Sequence, residues 1–371
     1  MSKHKTLIES DKAILVGVGV NETIDESSLD ELASLCGTCN IDTVGRIVQN
    51  RHDVDVTYYV GSGKVEEIGQ MVQEHGATCV VFDVELSGSK VRNLERELGV
   101  AVLDRSKIIL DIFAQRAQSM EGKLQVELAQ LKYNLPRLIG SGGLMSKMRS
   151  AVGMRGPGEK KLETDKRKIK EEITELERKI KKLGSNRELN KNLARQSGKA
   201  RICLVGYTNS GKSTLLNTMT KSNVLAEDKL FATLDPKTAN IFIQGGEEQS
   251  YKGVQVLLTD TVGFINKLPH EFISAFESTL DEARYADLLL HVVDVSNCDY
   301  LGQVAVVQSV LEKIGADKVP MLFVLNKIDC LSQAGKDLIR KEFAEKEFVM
   351  ISAKNNVGIE ELKAVLLQRA R

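Results

Sequence analysis

Eight residues in the second half of the chain match a loop that binds phosphate groups. The stretch GYTNSGKS, residues 206–213, follows the apolar run ICLVG and precedes the helix-like run TLLNTMT. In that context, successive backbone N–H groups and the start of a helix form a nest for an anion. We expect Lys212 to contact the β- and γ-phosphates of a nucleotide and the Ser213 hydroxyl to bind Mg²⁺. The expected chemistry is therefore nucleotide binding.

A second motif predicts which base the nucleotide carries. NKID, residues 326–329, ends the apolar run MLFVLN. The Asp329 carboxylate can accept hydrogen bonds from N1–H and the 2-amino group of guanine, whereas adenine offers neither donor there. The stem of Lys327 can cover the base, and the backbone of SAK, residues 352–354, can meet guanine O6. The pattern favours GTP and GDP over adenine nucleotides.

Two further stretches supply groups that could sense a γ-phosphate. FATLDP, residues 231–236, occupies the place of a first switch, and DTVG, residues 260–263, that of a second. Thr233 would close on Mg²⁺ and the γ-phosphate, Asp260 would hold a water of the metal, and the Gly263 N–H would contact the γ-phosphate. Hydrolysis at such a site depends on positioning and charge stabilisation. The candidate catalytic residues are Lys212, Thr233 and Gly263, and the candidate metal ligands are Ser213, Thr233 and Asp260.

The four motifs together define the candidate nucleotide site, because each lies where a strand-like run ends or a switch is expected. We expect contacts with the nucleotide from Gly206, Tyr207, Thr208, Asn209, Ser210, Gly211, Lys212, Ser213, Thr214, Phe231, Ala232, Thr233, Leu234, Asp235, Asp260, Thr261, Val262, Gly263, Asn326, Lys327, Ile328, Asp329, Ser352, Ala353 and Lys354.

The residue after Gly263 raises a question about hydrolysis. In the best-known GTP-binding proteins this position is a Gln that orients the attacking water, but here it is Phe264. A phenyl ring can neither donate nor accept such a hydrogen bond. The water must then be oriented by the backbone of the two switches, by Thr233 or by a partner. We therefore expect hydrolysis to be slow in the isolated protein and to be stimulated by a partner.

The elements that must position these motifs are predicted by periodicity. Residues 199–371 alternate strand-like and helical runs, which indicates a doubly wound, mostly parallel sheet with one antiparallel pair. Residues 1–112 alternate in the same way and indicate a smaller α/β domain. The predicted strands are 13–20, 43–49, 79–83 and 100–104 in the first region and 202–206, 241–243, 254–260, 288–295, 320–326 and 348–352 in the last. GSGK, residues 61–64, lacks the upstream Gly of a phosphate loop and predicts a helix start.

The middle region, residues 113–198, predicts an antiparallel helical hairpin. Apolar residues recur at steps of three and four along 124–135 and at steps of seven, three and four along 162–183, as in coiled coils, and Pro136 and Pro157 are expected near the helix limits. The connection 140–158 is rich in Gly and carries Lys147, Arg149 and Arg155. One interpretation is a solvated coiled coil with a flexible tip. The other is a basic arm whose tip, through these three cations, contacts nucleic-acid backbone.

Composition excludes several classes of protein. The 371 residues carry 51 basic and 51 acidic side chains, so net charge favours no partner. No apolar run reaches the roughly 20 residues of a membrane span, and the N-terminus lacks a signal-peptide pattern. Six cysteines in such a chain indicate buried thiols of a cytoplasmic protein. The pair CGTC at 36–39 matches redox spacing, but a helix end capped by Gly37 is the favoured interpretation.

The combined motifs resemble the HflX-type GTPases, in the translation-factor-related class of P-loop GTPases. The resemblance rests on GYTNSGKSTLLN, LFATLDP, DTVGFI and NKID, and on segments outside the nucleotide site: YYVGSGKVEEI at 58–68, residues 103–138 and RGPGEKKLETD at 155–165. It covers nearly the whole chain. The tip, GLMSKMRSAVGMRG, departs from the aromatic residue and longer Gly run of many members, and the longer members carry a further C-terminal domain.

The resemblance implies a monomeric, ribosome-associated GTPase that uses GTP and Mg²⁺. Family members bind the large ribosomal subunit through the N-terminal domain and helical arm, and several are linked to splitting or rescuing ribosomes under stress. Arg149 and Arg155 would then lie on the tip and face ribosomal RNA. The alternative is a regulatory GTPase whose arm docks a protein partner, such as a membrane protease or its regulator. The sequence leaves open which ribosomal state is bound and whether splitting, rescue or assembly follows.

Overall fold

The structure, a computed structural model, describes residues 11–21, 24, 26–139, 157–195, 199–220, 230–231, 234–244, 253–267 and 277–369. The chain forms two compact units. The first contains residues 1–115 and 123–180, and the second contains residues 116–122 and 181–371. The short segment 116–122 therefore belongs with the C-terminal part of the chain although it leads into the first turn of the helical hairpin.

The first unit is built on a four-stranded parallel sheet in the order β2-β1-β3-β4. Its strands are β1 (Asp11–Val20), β2 (Ile41–Arg51), β3 (Cys79–Phe82) and β4 (Ala101–Asp104), and its helices are α1 (Glu26–Thr38), α2 (Ser62–His75), α3 (Gly88–Leu98) and α4 (Arg105–Arg116). The central strand β1 is buried over most of its length, as an inner strand of a parallel sheet must be. The predicted small α/β domain is confirmed, and so is the helix start at Ser62.

The CGTC pair is part of the structural core. Helix α1 continues through Cys36 and Gly37 to Thr38, so Gly37 is helical and the expectation that it caps the helix was wrong. Asn40 adopts the left-handed conformation beyond the helix end, with φ 58°. Both thiols are buried, and that burial raises the pKa of Cys36 far above its usual range and that of Cys39 to about 12. Burial therefore disfavours the thiolate that redox chemistry needs at both positions.

The middle region forms the helical hairpin of α5 (Met120–Ile139) and α6 (Pro157–Arg195). Leu128 and Leu176 of the predicted seams are buried, and Lys132 Nζ lies 2.8 Å from a carboxylate oxygen of Glu177. Helix α5 continues three residues beyond Pro136, and Pro157 is the first residue of α6, where its missing N–H costs no hydrogen bond.

A buried carboxylate fastens α5 to the first sheet. Asp104, at the end of β4, is fully buried and accepts hydrogen bonds from the Tyr133 hydroxyl and Arg137 Nη2, each at 2.7 Å. It also accepts from the backbone N–H of Leu86 at 3.1 Å. Removing one partner of such a buried ion pair leaves an uncompensated charge. The Asp104 contacts therefore hold the arm's first helix at a defined place on the first unit.

The second unit contains a six-stranded sheet in the order β10-β9-β8-β5-β7-β6. Its strands are β5 (Ala200–Val205), β6 (Lys237–Ile243), β7 (Val254–Asp260), β8 (Leu288–Asp294), β9 (Met321–Asn326) and β10 (Phe348–Met350). Only β6 runs antiparallel, against β7, among the described strands. The helices are α7 (Lys212–Thr220), α8 (Glu277–Arg284), α9 (Tyr300–Lys313), α10 (Gln333–Glu342) and α11 (Ile359–Arg369), with a 3-10 turn at Ile328–Cys330. The predicted doubly wound sheet with one antiparallel pair is confirmed.

Strand register brings the predicted motifs to one edge of this sheet. Leu204 of β5 lies opposite Asp260 of β7, and Asp294 of β8 lies opposite Asn326 of β9. Because neighbouring parallel strands end at the same edge, the loops that follow them share one crevice. The phosphate loop, the second switch and NKID all begin at this edge. Among the helices of the described residues, none combines the length and apolar character needed to cross a membrane.

Candidate nucleotide site

The phosphate loop connects β5 to α7 through two glycines in unusual conformations. Gly206 has φ 153° and Gly211 has φ 95°, and a Cβ atom on Gly206 would lie 2.3 Å from the carbonyl oxygen of Val292. Only glycine allows the chain to pass so close to β8. Helix α7 then begins at Lys212, so its unpaired N–H groups point towards the loop. This is the anion nest that the sequence predicted.

Lys212 is the cation of this nest. Its Nζ donates to the carbonyl oxygens of Gly206 and Tyr207 at 2.9 and 2.7 Å. Burial lowers the pKa of Lys212 to about 8, partly opposed by the nearby Asp260 carboxylate. A phosphate group in the nest would favour the charged ammonium. The side chain is thus held in place before a nucleotide arrives, which suits it for neutralising phosphate charge.

Two of the predicted metal ligands are in contact. The Ser213 hydroxyl donates to Asp260 Oδ2 at 2.6 Å, and Asp260 is fully buried at the end of β7. A hydroxyl and a carboxylate are the hard oxygen donors that Mg²⁺ prefers. The residues therefore fit a magnesium ion. The third predicted ligand, Thr233, and its neighbour Ala232 lie outside the described residues.

Gly263 packs directly on the phosphate loop. A Cβ atom at this position would lie 2.9 Å from Cα and Cγ2 of Thr208 and 3.1 Å from Nζ of Lys212. A larger residue would push the second switch away from the loop. The close approach places the Gly263 backbone beside Lys212, where the sequence predicted a γ-phosphate contact.

The side chain of Phe264 points into the protein core and is 2% exposed. Its backbone N–H donates to the Gly206 carbonyl at 3.1 Å, and its carbonyl accepts from the Thr208 N–H at 2.7 Å. Two residues further on, the backbone N–H of Asn266 donates to the Tyr207 hydroxyl at 2.8 Å. These three bonds hold residues 264–266 along the phosphate loop. Phe264 is thus a packing residue, and Tyr207 has a positioning role that the loop motif did not reveal.

We predict that Phe264→Gln does not accelerate hydrolysis. The Gln amide would lie in the apolar core and not beside the nucleotide, and a buried amide without partners costs about 1–3 kcal/mol. We expect a lower melting temperature and a single-turnover GTP hydrolysis rate no faster than that of the wild type. Phe264→Leu is the control, because it shortens the side chain without adding a polar group. A large gain in rate for the Gln variant alone would contradict the prediction.

Asn326 joins the phosphate loop to the base loop. It is buried, its Nδ2 donates to the Ser210 carbonyl at 2.8 Å, and its Oδ1 accepts from the Ala353 N–H at 3.0 Å. Lys327 adopts a left-handed conformation with φ 65°, and its Nζ pairs with Asp294 Oδ2 at 2.6 Å. Asn326 therefore acts on the nucleotide through two loops that it holds together.

Asp329 is placed to read the base. It lies on the exposed 3-10 turn after β9, and a hydrogen bond from the Ser352 hydroxyl is the largest cause that lowers the pKa of its carboxyl. The carboxylate is therefore charged and acts only as an acceptor. The loop that carries Ser352 is closed by hydrogen bonds in both directions with Val357, at 3.0 and 3.1 Å. The structure brings NKID and SAK together as the sequence predicted.

The other residues predicted to contact the nucleotide include both buried and exposed side chains. Thr261 donates through its hydroxyl to the Leu204 carbonyl at 2.7 Å. Asn209 is exposed with φ 59°, and Lys354 is also exposed. Other members of the predicted set have buried side chains, namely Phe231, Leu234, Val262, Ile328 and Ala353. These residues shape the loops whose backbone surrounds the crevice.

Asp235 has partners far away in the sequence. Its carboxylate accepts hydrogen bonds from the backbone N–H groups of Gln118 and Ser119, at 2.9 and 2.8 Å, and from the Ser119 hydroxyl. Nothing in the local pattern of FATLDP indicates these bonds, because the partners precede Asp235 by 116 and 117 positions.

The phosphate loop, the Ser213–Asp260 pair and the guanine-reading turn define a P-loop GTPase. Three family models match the chain: "GTP-binding GTPase N-terminal" over residues 26–114, "GTP-binding GTPase Middle Region" over 116–195 and "50S ribosome-binding GTPase" over 201–327.

The GTPase HflX of Caldanaerobacter subterraneus subsp. tengcongensis is 44% identical over 354 residues, which cover 95% of this chain and 79% of that protein. The GTPase HflX of Escherichia coli is 39% identical, with 97% and 83% covered. The crystal structure of SsGBP in complex with GDP superposes with a TM-score of 0.54 at 26% identity, covering 97% of this chain and 98% of that one. The chain belongs to the HflX family of GTPases and hydrolyses GTP.

Proposed function

We propose that this GTPase binds the large ribosomal subunit in its GTP form and leaves it after hydrolysis. We further propose that it acts in the cytoplasm as a monomer, in splitting, rescuing or recycling ribosomes under stress. The observation that carries the proposal is the match of residues 201–327 to a family described as a 50S ribosome-binding GTPase. A switch of this kind works because GTP orders segments that the partner binds and hydrolysis releases them.

Mg²⁺ is the metal that we propose for the Ser213–Asp260 pair, with Thr233 closing on it when GTP is bound. When bound, the ion neutralises charge on the phosphate oxygens. The Asp260 carboxylate, buried beside Ser213 and close to Lys212, gives the site a negative charge for the ion to offset. The same two oxygens are 2.6 Å apart and could turn together towards one cation.

The chain's own residues suit slow hydrolysis that a partner can accelerate. Lys212 is already held over the loop, and Gly263 is packed against it. Phe264 supplies no group for the water, since its side chain is in the core. Orientation of the water therefore falls to the switch backbone or to the ribosome.

The helical arm is the proposed ribosome contact. Its tip residues Lys147, Arg149 and Arg155 lie outside the described residues, so RNA contact by these cations is proposed from the sequence alone. Exposed acidic and basic side chains both occur along α6, and some of them pair within the helix, for example Lys179 with Glu175 at 2.8 Å. The proposal for the tip therefore rests on its three cations and its Gly-rich sequence.

Co-sedimentation with purified large ribosomal subunits tests the proposal. We expect binding with a non-hydrolysable GTP analogue, release with GDP, and weaker binding at higher salt. Arg149→Ala combined with Arg155→Ala should lower the affinity and flatten its salt dependence, because fewer counterions are released. The matched control is Lys168→Ala combined with Lys170→Ala, which removes two exposed cations from α6 and leaves the tip unchanged.

Equal binding in both nucleotide states, or none in either, would contradict a GTP-controlled ribosome factor and favour a protein partner of the arm. If the Arg149→Ala and Arg155→Ala double variant binds as well as the Lys168→Ala and Lys170→Ala control, RNA contact by the tip cations is contradicted.

A further inference from the structure

The segment 116–122, which ends in the first turn of α5, is hydrogen-bonded to Asp235 of the predicted first switch. It belongs to the same compact unit as the GTPase sheet. Within that unit the Asp235 carboxylate accepts from the N–H groups of Gln118 and Ser119 and from the Ser119 hydroxyl. Three donors on one carboxylate form a charge-assisted set, which is stronger than the same bonds between neutral groups. These bonds therefore hold Asp235 and residues 118–119 in fixed positions relative to each other.

Ser119 and Gly122 form the helix start that contacts Asp235. The Gly122 N–H donates to the Ser119 hydroxyl oxygen at 2.9 Å, as at the start of a helix with a serine cap, and α5 begins at Met120. A Cβ atom on Gly122 would lie 2.6 Å from Asp235 Oδ1. The carboxylate thus lies so close to the first turn of α5 that a larger residue at position 122 would force it to shift.

Asp235 lies in sequence between Thr233 and Lys237, two residues that are linked to the proposed metal site. Lys237 follows it by two residues and pairs in the sheet with Asp260, one of the proposed metal ligands. Thr233 precedes it by two residues and is proposed to close on the metal. Two residues span at most about 7 Å, so holding Asp235 limits the positions that Thr233 can reach.

We propose that residues 118–122 are a positioning element of the GTPase site. By holding Asp235, they keep the first switch in the conformation that accepts the γ-phosphate. Affinity coupling is reciprocal, so GTP must in turn strengthen the Asp235 contacts and GDP must weaken them. The inference rests on the proposed role of Thr233 and assigns to Asp235 a function besides nucleotide contact.

Helix α5 gives this contact a further consequence. Its first residues, to Gly122, belong to the second unit, and from Lys123 onward it belongs to the first. Helix α5 contacts Asp235 at its first turn and continues into the arm. A change at Asp235 between the GTP and GDP forms would therefore act first on this turn of the helix.

Gly122→Ala tests the proposal, with Gly335→Ala as the matched control. Both glycines lie three residues after a helix-capping serine, Ser119 or Ser332. At Gly335 a Cβ would meet the Ser332 hydroxyl only at 3.6 Å, an ordinary contact. We expect Gly122→Ala to lower the affinity for a non-hydrolysable GTP analogue about 5- to 10-fold, with GDP affinity within about twofold of the wild type. The control should change neither affinity.

A second variant separates the Asp235 contact from a general effect on folding. In an Asp235→Ala background the 2.6 Å contact is absent and only the Ser119 hydroxyl, at 3.0 Å, lies close, so adding Gly122→Ala should cost little further analogue affinity. Hydrogen exchange at the Gln118 and Ser119 amides should be slower with the analogue than with GDP in the wild type, and equally fast in Asp235→Ala.

Three results would overturn the proposal. The first is that Gly122→Ala lowers the analogue and GDP affinities equally, and the second is that it lowers analogue affinity as much in the Asp235→Ala background as in the wild type. The third is that hydrogen exchange at the Gln118 and Ser119 amides is the same with the analogue and with GDP. None of these measurements uses ribosomes. Failure of ribosome binding with the affinity pattern intact would therefore contradict only the proposed function.

Discussion

Asp329→Asn is expected to change the preference of this GTPase from guanine to xanthine nucleotides. The carboxylate lies on an exposed turn after β9, and the Ser352 hydrogen bond lowers its pKa, so it is charged and suited to accept from the two guanine donors. An Asn amide would place a donor against the guanine 2-amino group but opposite the carbonyl oxygen of xanthine. Sites built on such hydrogen bonds reject the mismatched ligand by on the order of 10⁴-fold.

The measurement is a titration of the variant with GDP and XDP, for example by calorimetry. We expect the GDP affinity to collapse and the XDP affinity to rise. Cys330→Ser is the control, because Cys330 is the exposed neighbour on the same turn. A loss of GDP affinity below tenfold, or an Asn variant that prefers neither base, would show that another group reads guanine.

Gly211→Ala is expected to abolish binding of every nucleotide, whatever its base. Gly211 has φ 95°, and a Cβ there would lie 2.2 Å from Nδ2 of Asn326. That atom donates to the Ser210 carbonyl, and the same side chain accepts from Ala353. The methyl group would displace Asn326 and separate the phosphate loop from the base loop. The two lost hydrogen bonds and the strained backbone together should lower affinity for GDP and GTP more than about 100-fold.

Gly315→Ala is the matched control for this variant. Gly315 also has a positive φ, 72°, but a Cβ there would meet nothing within 4 Å. It should cost about 1–3 kcal/mol of stability through backbone strain and leave nucleotide affinity within twofold. Thermal unfolding and nucleotide titration of both variants separate the two effects. If Gly211→Ala binds nucleotide as well as the control does, Asn326 does not connect the two loops in the way described.

Local chemistry explains why much of the nucleotide site was predictable. The phosphate loop requires glycines at fixed spacing, a Lys and a hydroxyl at the start of a helix, and these requirements are met by eight consecutive residues. The same holds for NKID, in which the predicted reading of the base depends on the side chain of Asp329 itself. The alternation of strand and helix likewise predicted both sheets, because each element's period reflects which of its faces is buried.

Other features depended on contacts between distant segments. The sequence predicts that Asn326 and Asp235 contact the nucleotide, and that remains a prediction; the structure adds that Asn326 bonds to Ser210 and Ala353 and that Asp235 bonds to Gln118 and Ser119. Side-chain type predicts the capacity to form a hydrogen bond, but not the partner. Gly37 shows the same limit at short range, since burial of α1 keeps it helical where local propensity favours a cap.

The sequence by itself determined that this chain binds and hydrolyses a guanine nucleotide, because that chemistry resides in short motifs whose spacing is set by the ligand. Only the tertiary structure decided where Phe264 points and which segment holds the first switch. The Phe264 backbone pairs with the phosphate loop, which turns its side chain into the core. The Asp235 contacts join residues more than a hundred positions apart. Such pairings follow from the packing of whole elements, and no local pattern of residues encodes them.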